Sequence, residues 1–111
     1  MTFLYLNSDK MGDGDPVLGK KLIKIFLQTL LENGERIDMI GCVNSAINLT
    51  TEGSEVVDTL KEFEKKGTRI ATCGTCLDFH KIREKIIIGE VGTMKNAVEI
   101  MIKADKIIRP N

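Results

Sequence analysis

The segment Cys73-Gly74-Thr75-Cys76 places two thiols three residues apart, a spacing typical of sulfur chemistry or of a metal site. Residues 68–72, just before it, have the pattern of a short strand, and residues 77–82 have that of the opening of a helix. A cysteine at a helix N-terminus lies near unpaired backbone N–H groups and the positive end of the helix dipole, which both favour the nucleophilic thiolate. The segment therefore predicts a functional pair of thiols.

Thioredoxin-like oxidoreductases also carry a C-x-x-C pair, but the arrangement of this chain argues against that class. In that fold the pair follows the first strand and faces a cis-proline from a later strand. Here the pair follows the third predicted strand, and the two prolines are Pro16 and Pro110. Thiol–disulfide oxidoreduction of the thioredoxin type is therefore not expected.

Zinc binding is a second alternative for the cysteines. Cys73, Cys76 and His80 have a plausible ligand spacing, and Cys42 is a possible fourth ligand from the neighbouring strand. A structural zinc site usually contains a second close pair of ligands, which this sequence lacks. His80 also falls within a predicted helix, where a single histidine is more often a surface residue. We therefore expect no metal and no other cofactor.

The glycine-containing stretch that ends in Gly19, Lys20 and Lys21 has the spacing of a nucleotide-binding P-loop up to its last position. That position requires a hydroxyl group for Mg²⁺, and Lys21 has none. Asp13 and Asp15 would repel phosphate. The stretch is therefore interpreted as a loop that leads into a helix.

Apolar runs that resemble strands alternate with helical patterns along the whole chain, which predicts an α/β fold with a five-stranded parallel sheet. One domain is expected over residues 1–111, which is long enough for a core without disulfides. Ser54 is the expected N-cap of the second helix. The predicted strands are residues 2–7, 36–43, 68–72, 86–89 and 105–109; the predicted helices run from Pro16 to about Asn33, over 55–64, from about 77, and over 94–103.

Ligands bind beyond the carboxyl ends of the strands in sheets of this kind. Three segments are therefore expected to meet at one edge: the loop 8–15, residues 42–44 and residues 73–76. The polar loop 44–54 has two interpretations, because it is either a plain connection or a source of amides and hydroxyls that hold a small anion or a persulfide.

The composition limits the partners of the protein. Sixteen basic and sixteen acidic side chains cancel, and the chain has one tyrosine and no tryptophan, so neither nucleic acid nor an anionic membrane is an expected partner. No apolar stretch at the start of the sequence is long enough for an export signal or a membrane span. A cytoplasmic location is the expectation, and there a C-x-x-C pair is more often functional than a structural disulfide.

Several segments together resemble the DsrE/DsrF-like family, and most closely the C-terminal domain of the YedF proteins, which are described as sulfurtransferase-like proteins of selenium metabolism. The resemblance covers essentially the whole chain. It is carried by residues 8–15, 18–20, 44–45, 49–55, 73–79, 89–91 and 104–110, of which the Leu-Thr-Thr-Glu-Gly-Ser and Cys-Gly-Thr-Cys-Leu-Asp-Phe stretches are the most specific.

This resemblance implies a three-layer α/β/α fold, frequent assembly into homo-oligomers and a persulfide carried on a cysteine after the third strand, which corresponds most naturally to Cys73. Cys76 is then a helper, a resolving thiol or the carrier itself. YedF proteins resemble a fusion with a TusA-like sulfur-carrier domain at the N-terminal side. That domain is not expected here, so a separate TusA-like protein is a candidate partner. Six residues are expected to surround the substrate: Ser8, Gly12, Asn44, Ser45, Gly74 and Thr75.

Two functions of different classes follow. The first is a sulfur- or selenium-relay protein that carries a persulfide on the Cys-Gly-Thr-Cys segment, with sulfurtransferase-like chemistry. The second is a non-catalytic oligomeric module, whose cysteines are structural or sense redox state. Cys42 is expected to react slowest under either hypothesis, because it lies within a strand of the buried type.

Overall fold

All five strands pair in parallel within one sheet, as the computed structural model of residues 1–111 shows. The order across the sheet is β4-β3-β2-β1-β5. This confirms the α/β class and the five-stranded parallel sheet. The strands are β1 (Thr2–Leu6), β2 (Met39–Cys42), β3 (Arg69–Cys73), β4 (Glu90–Gly92) and β5 (Lys106–Ile108).

Four α-helices connect the strands: α1 (Pro16–Asn33), α2 (Val57–Lys65), α3 (Gly74–Phe79) and α4 (Met94–Lys103). Two 3₁₀ helices, Asn44–Leu49 and Arg83–Lys85, lie in the connections. None of the helices is long and apolar enough to cross a bilayer.

The start of α1 follows from local sequence. The Asp15 carboxylate accepts hydrogen bonds from the N–H groups of Val17 (2.8 Å) and Leu18 (3.2 Å), and Pro16 occupies the first turn, where its missing N–H costs nothing. Gly34 ends the helix with a left-handed φ of 83°. Gly19 and Lys20 lie within this helix, so the interpretation of the P-loop-like stretch as loop and helix is confirmed.

The two faces of the sheet carry different side chains because residues alternate along each strand. Leu4, Ile40 and Ile70 point to the face that α1 and α2 cover, and they belong to a core cluster of 14 buried residues. Phe3, Met39 and Ala71 point to the opposite face, and all three line a cavity beneath α4. No residue of α4 itself is buried.

The apolar residues of α1 do not all face the core. Ile23 and Leu27 are buried, whereas Val17, Leu18, Leu22 and Ile25 are exposed. A second apolar stripe therefore runs along the outside of this helix.

Two elements begin later than the sequence analysis predicts. The second helix begins at Val57, and the Ser54 hydroxyl accepts a hydrogen bond from the N–H of Val56 (3.1 Å) in a turn before the helix, so Ser54 is not its N-cap. The fourth strand is Glu90–Gly92 and not 86–89.

Segment 86–89 does not pair in the parallel sheet, and its isoleucines make other contacts. Ile88 is buried in the core, and Ile86 forms an antiparallel bridge with Thr51. Gly89 has a φ of 76°, and a Cβ at this position would collide with the backbone of Ile70. The chain therefore turns at Gly89 before it enters the sheet.

The third helix is also displaced from its expected position. It begins at Gly74, inside the Cys-Gly-Thr-Cys segment, and ends at Phe79, with His80 as the C-cap. Lys81 then adopts a left-handed φ of 57°, which stops the helix. This short helix makes Cys73, and not a later residue, the N-cap.

Candidate functional site

Three free cysteines lie near the carboxyl ends of β2 and β3, in two different environments. Cys73 and Cys76 are half-buried, whereas Cys42 is 1% exposed and belongs to the core cluster. Burial raises the pKa of the Cys42 thiol to about 12. The prediction that Cys42 is buried is confirmed, and its thiol stays protonated at neutral pH.

Cys73 ends β3 and is the N-cap of α3. Its Sγ accepts a hydrogen bond from the backbone N–H of Cys76 at 3.4 Å, which is one of the N–H groups that a helix start leaves without a helical partner. The sulfur therefore takes the place that a serine or aspartate oxygen occupies at most helix N-termini.

Cys76 lies in the first turn of α3, and its Sγ accepts a hydrogen bond from the backbone N–H of Asn44 at 3.2 Å. Asn44 has a left-handed φ of 52°, a conformation that asparagine tolerates better than most residues. The turn at Asn44 thereby directs a backbone donor at the thiol.

The expectation that the helix start favours the thiolate at both cysteines is wrong for Cys76. Its pKa is raised above 9.0, first by burial and then by the hydrogen bond with the Cys73 thiol, and the hydrogen bond from the Asn44 N–H only partly offsets these effects. Cys76 is therefore protonated at neutral pH. The helix has only six residues, so its dipole is also weaker than that of a longer helix.

A chain of hydroxyl contacts joins the Asn44 turn to the loop after β1. Ser45 Oγ lies 3.4 Å from Ser8 Oγ and accepts a hydrogen bond from the N–H of Asp9 at 3.2 Å. The hydroxyl of Ser8 accepts a further bond from the N–H of Lys10 (3.0 Å). The three segments expected at one edge of the sheet thus meet through direct contacts.

Asp9 is a buried carboxylate that sequence reasoning treated only as part of a loop. Its Oδ2 accepts a hydrogen bond from Asn48 Nδ2 at 3.0 Å, and Lys10 Nζ lies 3.4 Å from Oδ1. Burial raises the pKa of Asp9, but the bonds from Asn48 and Lys10 outweigh it, so the pKa is lowered overall. Asp9 therefore fastens this loop to the 3₁₀ helix Asn44–Leu49 as an anion.

Gly74 is buried because other groups fill the space where a side chain would lie. A Cβ at this position would be 2.9 Å from the Arg83 guanidinium, 3.1 Å from Val91 Cγ1 and 3.3 Å from the Gly92 carbonyl oxygen. Arg83 itself is held by Asp78, which accepts from Nε at 2.8 Å and from an Nη at 2.9 Å. The hydrogen bond from Arg83 lowers the pKa of Asp78.

Arg83 therefore places a positive charge beside the residue that follows Cys73, and the sequence analysis missed it. No motif signals this residue, because it follows α3 in an ordinary-looking charged stretch. Its position depends on the turn at Lys81.

Two of the residues expected around the substrate are less closely tied to the thiols. Gly12 turns the loop after β1 with a φ of 83° and is exposed, and no hydrogen bond links it to either cysteine. Thr75 lies between the cysteines, but its side chain is exposed and makes no hydrogen bond. Asn44, Ser45, Gly74 and Ser8 belong to the connected arrangement described above.

The zinc ligands considered from the sequence are not brought together. No three of the His, Cys, Asp and Glu side chains form a group suited to a metal ion. His80 is exposed and packs edge-on against the ring of Phe79, with ring centroids 5.0 Å apart, and Cys42 belongs to the core on the other face of the sheet from Met39 and Ala71.

Solved structures of three other proteins have the same fold. They are MTH1491 of Methanobacterium thermoautotrophicum, described as a protein of unknown function (TM-score 0.71, 18% identity, 98% of this chain and 97% of that one), and the ychN protein of E. coli (TM-score 0.71, 18% identity, 98% and 99%). The third is BT1422 of Bacteroides thetaiotaomicron, a conserved protein of unknown function (TM-score 0.66, 16% identity, 97% and 93%).

These likenesses extend over nearly the full length of each chain and establish the DsrE/DsrF-like fold for this protein. No protein-family model and no curated protein matches the sequence.

Proposed function

We propose that this protein is a sulfur- or selenium-relay protein of the YedF-like type, in which Cys73 carries the transferred atom. One observation carries the proposal: two free, partly exposed thiols lie three residues apart, and a backbone N–H donates to each sulfur. The DsrE/DsrF-like fold supports the same assignment, because the resemblance to this family implies a persulfide on the cysteine after the third strand.

The two cysteines suit different roles. Burial, and then the neighbouring Cys73 thiol, raise the pKa of Cys76. We assign the attack to Cys73 because it ends the third strand, as the family resemblance implies for the carrier, and its sulfur accepts a hydrogen bond from the first turn of α3. Its sulfur attacks the outer sulfur of a donor persulfide R–S–SH as the thiolate, a new S–S bond forms on Cys73, and R–S⁻ leaves with the electron pair of the broken bond.

Cys76 is positioned to release the transferred sulfur from Cys73. After it loses its proton, Cys76 attacks the inner sulfur of the Cys73 persulfide, the Cys73–Cys76 disulfide forms and the S–SH bond breaks. HS⁻ leaves with the electron pair and is protonated to H₂S, so no external oxidant is needed. Alternatively, an acceptor thiol attacks the outer sulfur and takes it away, and Cys73 is regenerated as a thiolate. The backbone N–H of Cys76 is positioned to bond to the inner sulfur throughout.

Asn44, Ser45, Ser8 and Gly74 form the walls of this proposed site, with Gly12 and Thr75 at its exposed margin. Arg83, which is paired with Asp78, lies next to Gly74, and backbone N–H groups donate to both sulfurs. An anionic sulfur is the species that such donors favour. We further propose a separate TusA-like protein as the exchange partner and a reducing, cytoplasmic location, in which the three cysteines stay free.

The test is mass spectrometry of the intact protein after incubation with inorganic polysulfide, followed by removal of excess reagent. Wild type and Cys42→Ala are expected to gain one reducible sulfur. Cys73→Ser is expected to gain none. Cys76→Ser is expected to load and to keep its sulfur longer than wild type, because the internal disulfide cannot form.

Loading of Cys73→Ser to the wild-type level would overturn the assignment of the carrier. No loading of any form, with all three thiols verified as reduced, would overturn the relay itself. Repeating the incubation with selenodiglutathione distinguishes selenium from sulfur, because the added mass differs.

A non-catalytic oligomeric module is the second candidate, and the outer stripe of α1 favours it. Val17, Leu18, Leu22 and Ile25 expose between 37% and 79% of their surface. Side chains of this kind gathered on one helix commonly mark a protein–protein contact. We propose that the protein forms homo-oligomers through this stripe. Assembly that persists in Cys73→Ser, together with absent sulfur loading in wild type, would favour the module over the relay.

A further inference from the structure

A cavity of about 420 Å³ lies between α4 and the sheet, on the face opposite the main core. Twelve of its 21 lining residues are hydrophobic. This volume is within the range of pockets that hold small organic molecules. Cys73 is among the lining residues at the carboxyl end of the strands.

The cavity exists because small residues occupy neighbouring positions on three strands. Gly41 and Ala71 are partners in the register of β2 and β3, and a Cβ on Gly92 would lie 3.0 Å from that of Ala71. A Cβ on Gly41 would lie 2.9 Å from the ring of Phe3, which lies over this glycine. Gly41, Ala71 and Gly92 therefore form the floor of the cavity, and larger side chains surround them.

The roof is α4, which stands away from this floor. Ala97 and Ile100 of the helix line the cavity and are only half-buried, and the helix contributes no buried residue. Because neither the floor nor the roof fills the space, apolar surface on both sides lacks a partner.

The charges at the far end of the cavity cancel. Arg69 is paired with Glu90, and Glu99 and Lys103 are opposite charges four residues apart on α4. These four lie at the amino-terminal side of the strands, whereas Cys73 lies at the other side. The length of β3 from Arg69 to Cys73 is about 13 Å at the usual rise of a strand. The cavity thus offers a predominantly apolar space whose lining charges balance, with the Cys73 thiol at one end.

We infer that this cavity binds the apolar organic group of a low-molecular-weight persulfide or thiol, and so places the sulfur of that molecule beside Cys73. The inference rests on the proposed relay function and specifies its donor as a small molecule with an apolar chain. The transfer is R–S–SH plus the Cys73 thiolate, giving the Cys73 persulfide and R–S⁻, with the organic group retained in the cavity until R–S⁻ departs.

The test uses methyl, butyl and octyl methanethiosulfonate as probes, which attach their alkylthio group to a thiol and release methanesulfinate. Rates at Cys73 are measured in Cys76→Ser, in which Cys76 cannot displace the alkylthio group, by fragmentation of the peptide that contains both positions, and each rate is divided by the rate of the same reagent with glutathione. The octyl reagent is expected to modify Cys73 at least about tenfold faster than the methyl reagent, because its chain leaves water for the cavity.

Two neighbouring positions on α4 provide a matched pair of variants. Ala97 lines the cavity, whereas Val98 is 46% exposed and does not. Ala97→Met is expected to remove most of the preference for the octyl chain and to leave the methyl rate unchanged. Val98→Met is expected to keep the preference.

A rate at Cys73 that is independent of chain length, or that falls with it, would overturn the inference. A rate that falls with chain length would indicate that another part of the protein or a second copy covers this face. Equal effects of the two methionine variants would also overturn it. Because this experiment measures alkylthiolation and not persulfide loading, it is separable from the relay. A chain-length preference without loading from polysulfide would retain the binding site and reject the relay.

Discussion

The two faces of the sheet are built in opposite ways. The face under α1 and α2 is filled by a continuous cluster that includes Leu60, Ile40 and Cys42, whereas the face under α4 leaves a cavity and a helix with no buried residue. Cys42 is buried in the core cluster and also borders the cavity, whereas Cys73 lies outside the core cluster and lines the cavity at the carboxyl end of β3. The comparison indicates that packing on one face provides most of the stability, so that the other face can keep a cavity beside Cys73.

Truncation of equivalent aliphatic side chains on the two faces gives the largest expected contrast. Leu60 is fully buried, and Leu60→Ala is expected to lower the free energy of unfolding by about 3 kcal/mol through lost burial and a new cavity. Ile102 on α4 is 78% exposed, and Ile102→Ala is expected to change it by less than about 0.5 kcal/mol. Urea unfolding followed by circular dichroism measures both.

A similar loss in the two variants would show that α4 packs as tightly as α2, most simply against a second copy of the chain. Repeating the unfolding at several protein concentrations separates that case, because the stability of an oligomer depends on concentration.

Alkaline pH is expected to weaken the filled face through Cys42. Its pKa is raised from 9.0 to about 12 in the folded protein, so between these values the folded state binds more protons than the unfolded chain. This contribution to stability is complete below pH 9 and declines as pH rises toward 12, with a slope of up to about 1.4 kcal/mol per pH unit.

Unfolding free energies at about pH 8 and about pH 10.5 measure this decline, and Cys42→Ala is the control. The variant is expected to lose less stability across the interval than wild type does, since other groups that titrate there are common to both. An identical decline in the two proteins would contradict the burial of a protonated thiol.

Filling the hollow face is expected to have a smaller and opposite effect on stability. Ala97→Met adds apolar surface inside the cavity and is expected to raise the free energy of unfolding by about 1 kcal/mol. Val98→Met, on the adjacent but exposed position, is expected to change it by less than about 0.5 kcal/mol. Thermal unfolding of the two variants beside wild type measures the difference, and destabilisation by Ala97→Met alone would indicate that the space is already occupied.

The smallest expected effect concerns the pH dependence of alkylation at Cys76. Its raised pKa implies that the thiolate is scarce at neutral pH, so its rate with iodoacetamide is expected to keep rising above pH 9, where an ordinary thiol approaches its plateau. Peptide mapping after short pulses of reagent measures this rate, and glutathione in the same solutions is the reference. If the alkylation rate of Cys76 reached its plateau at the same pH as that of glutathione, or at a lower pH, the result would contradict the effect of burial at this sulfur.

Much of the architecture was predictable from periodicity, and the failures have physical causes. The strand at 68–72 and the helix over 94–103 are close to their predicted bounds because their apolar residues recur with the period of a strand and of a helix. The strand predicted at 86–89 was wrong because a run of isoleucines is as typical of a buried loop as of a strand. Its turn at Gly89 depends on the approach of Ile70, which is a tertiary contact.

The site was predictable in its location but not in its chemistry. The carboxyl edge of a parallel sheet had to gather the segments that follow β1, β2 and β3. The raised pKa of Cys76 depends on how deeply one sulfur is buried, and the position of Arg83 depends on the turn at Lys81. The cavity was not foreseeable either, because Gly41 and Ala71 become neighbours only through strand register.

The central claim is that Cys73, alone among the three thiols, accepts the sulfur. The most direct measurement is incubation of unmodified wild-type protein with ³⁴S-labelled polysulfide, followed by rapid alkylation and fragmentation of the peptides that contain the cysteines. The account predicts that the label appears first on Cys73, that it leaves as the Cys73–Cys76 disulfide forms, and that Cys42 stays unlabelled. First appearance of the label on Cys76 or Cys42, or no label on any cysteine, would contradict it.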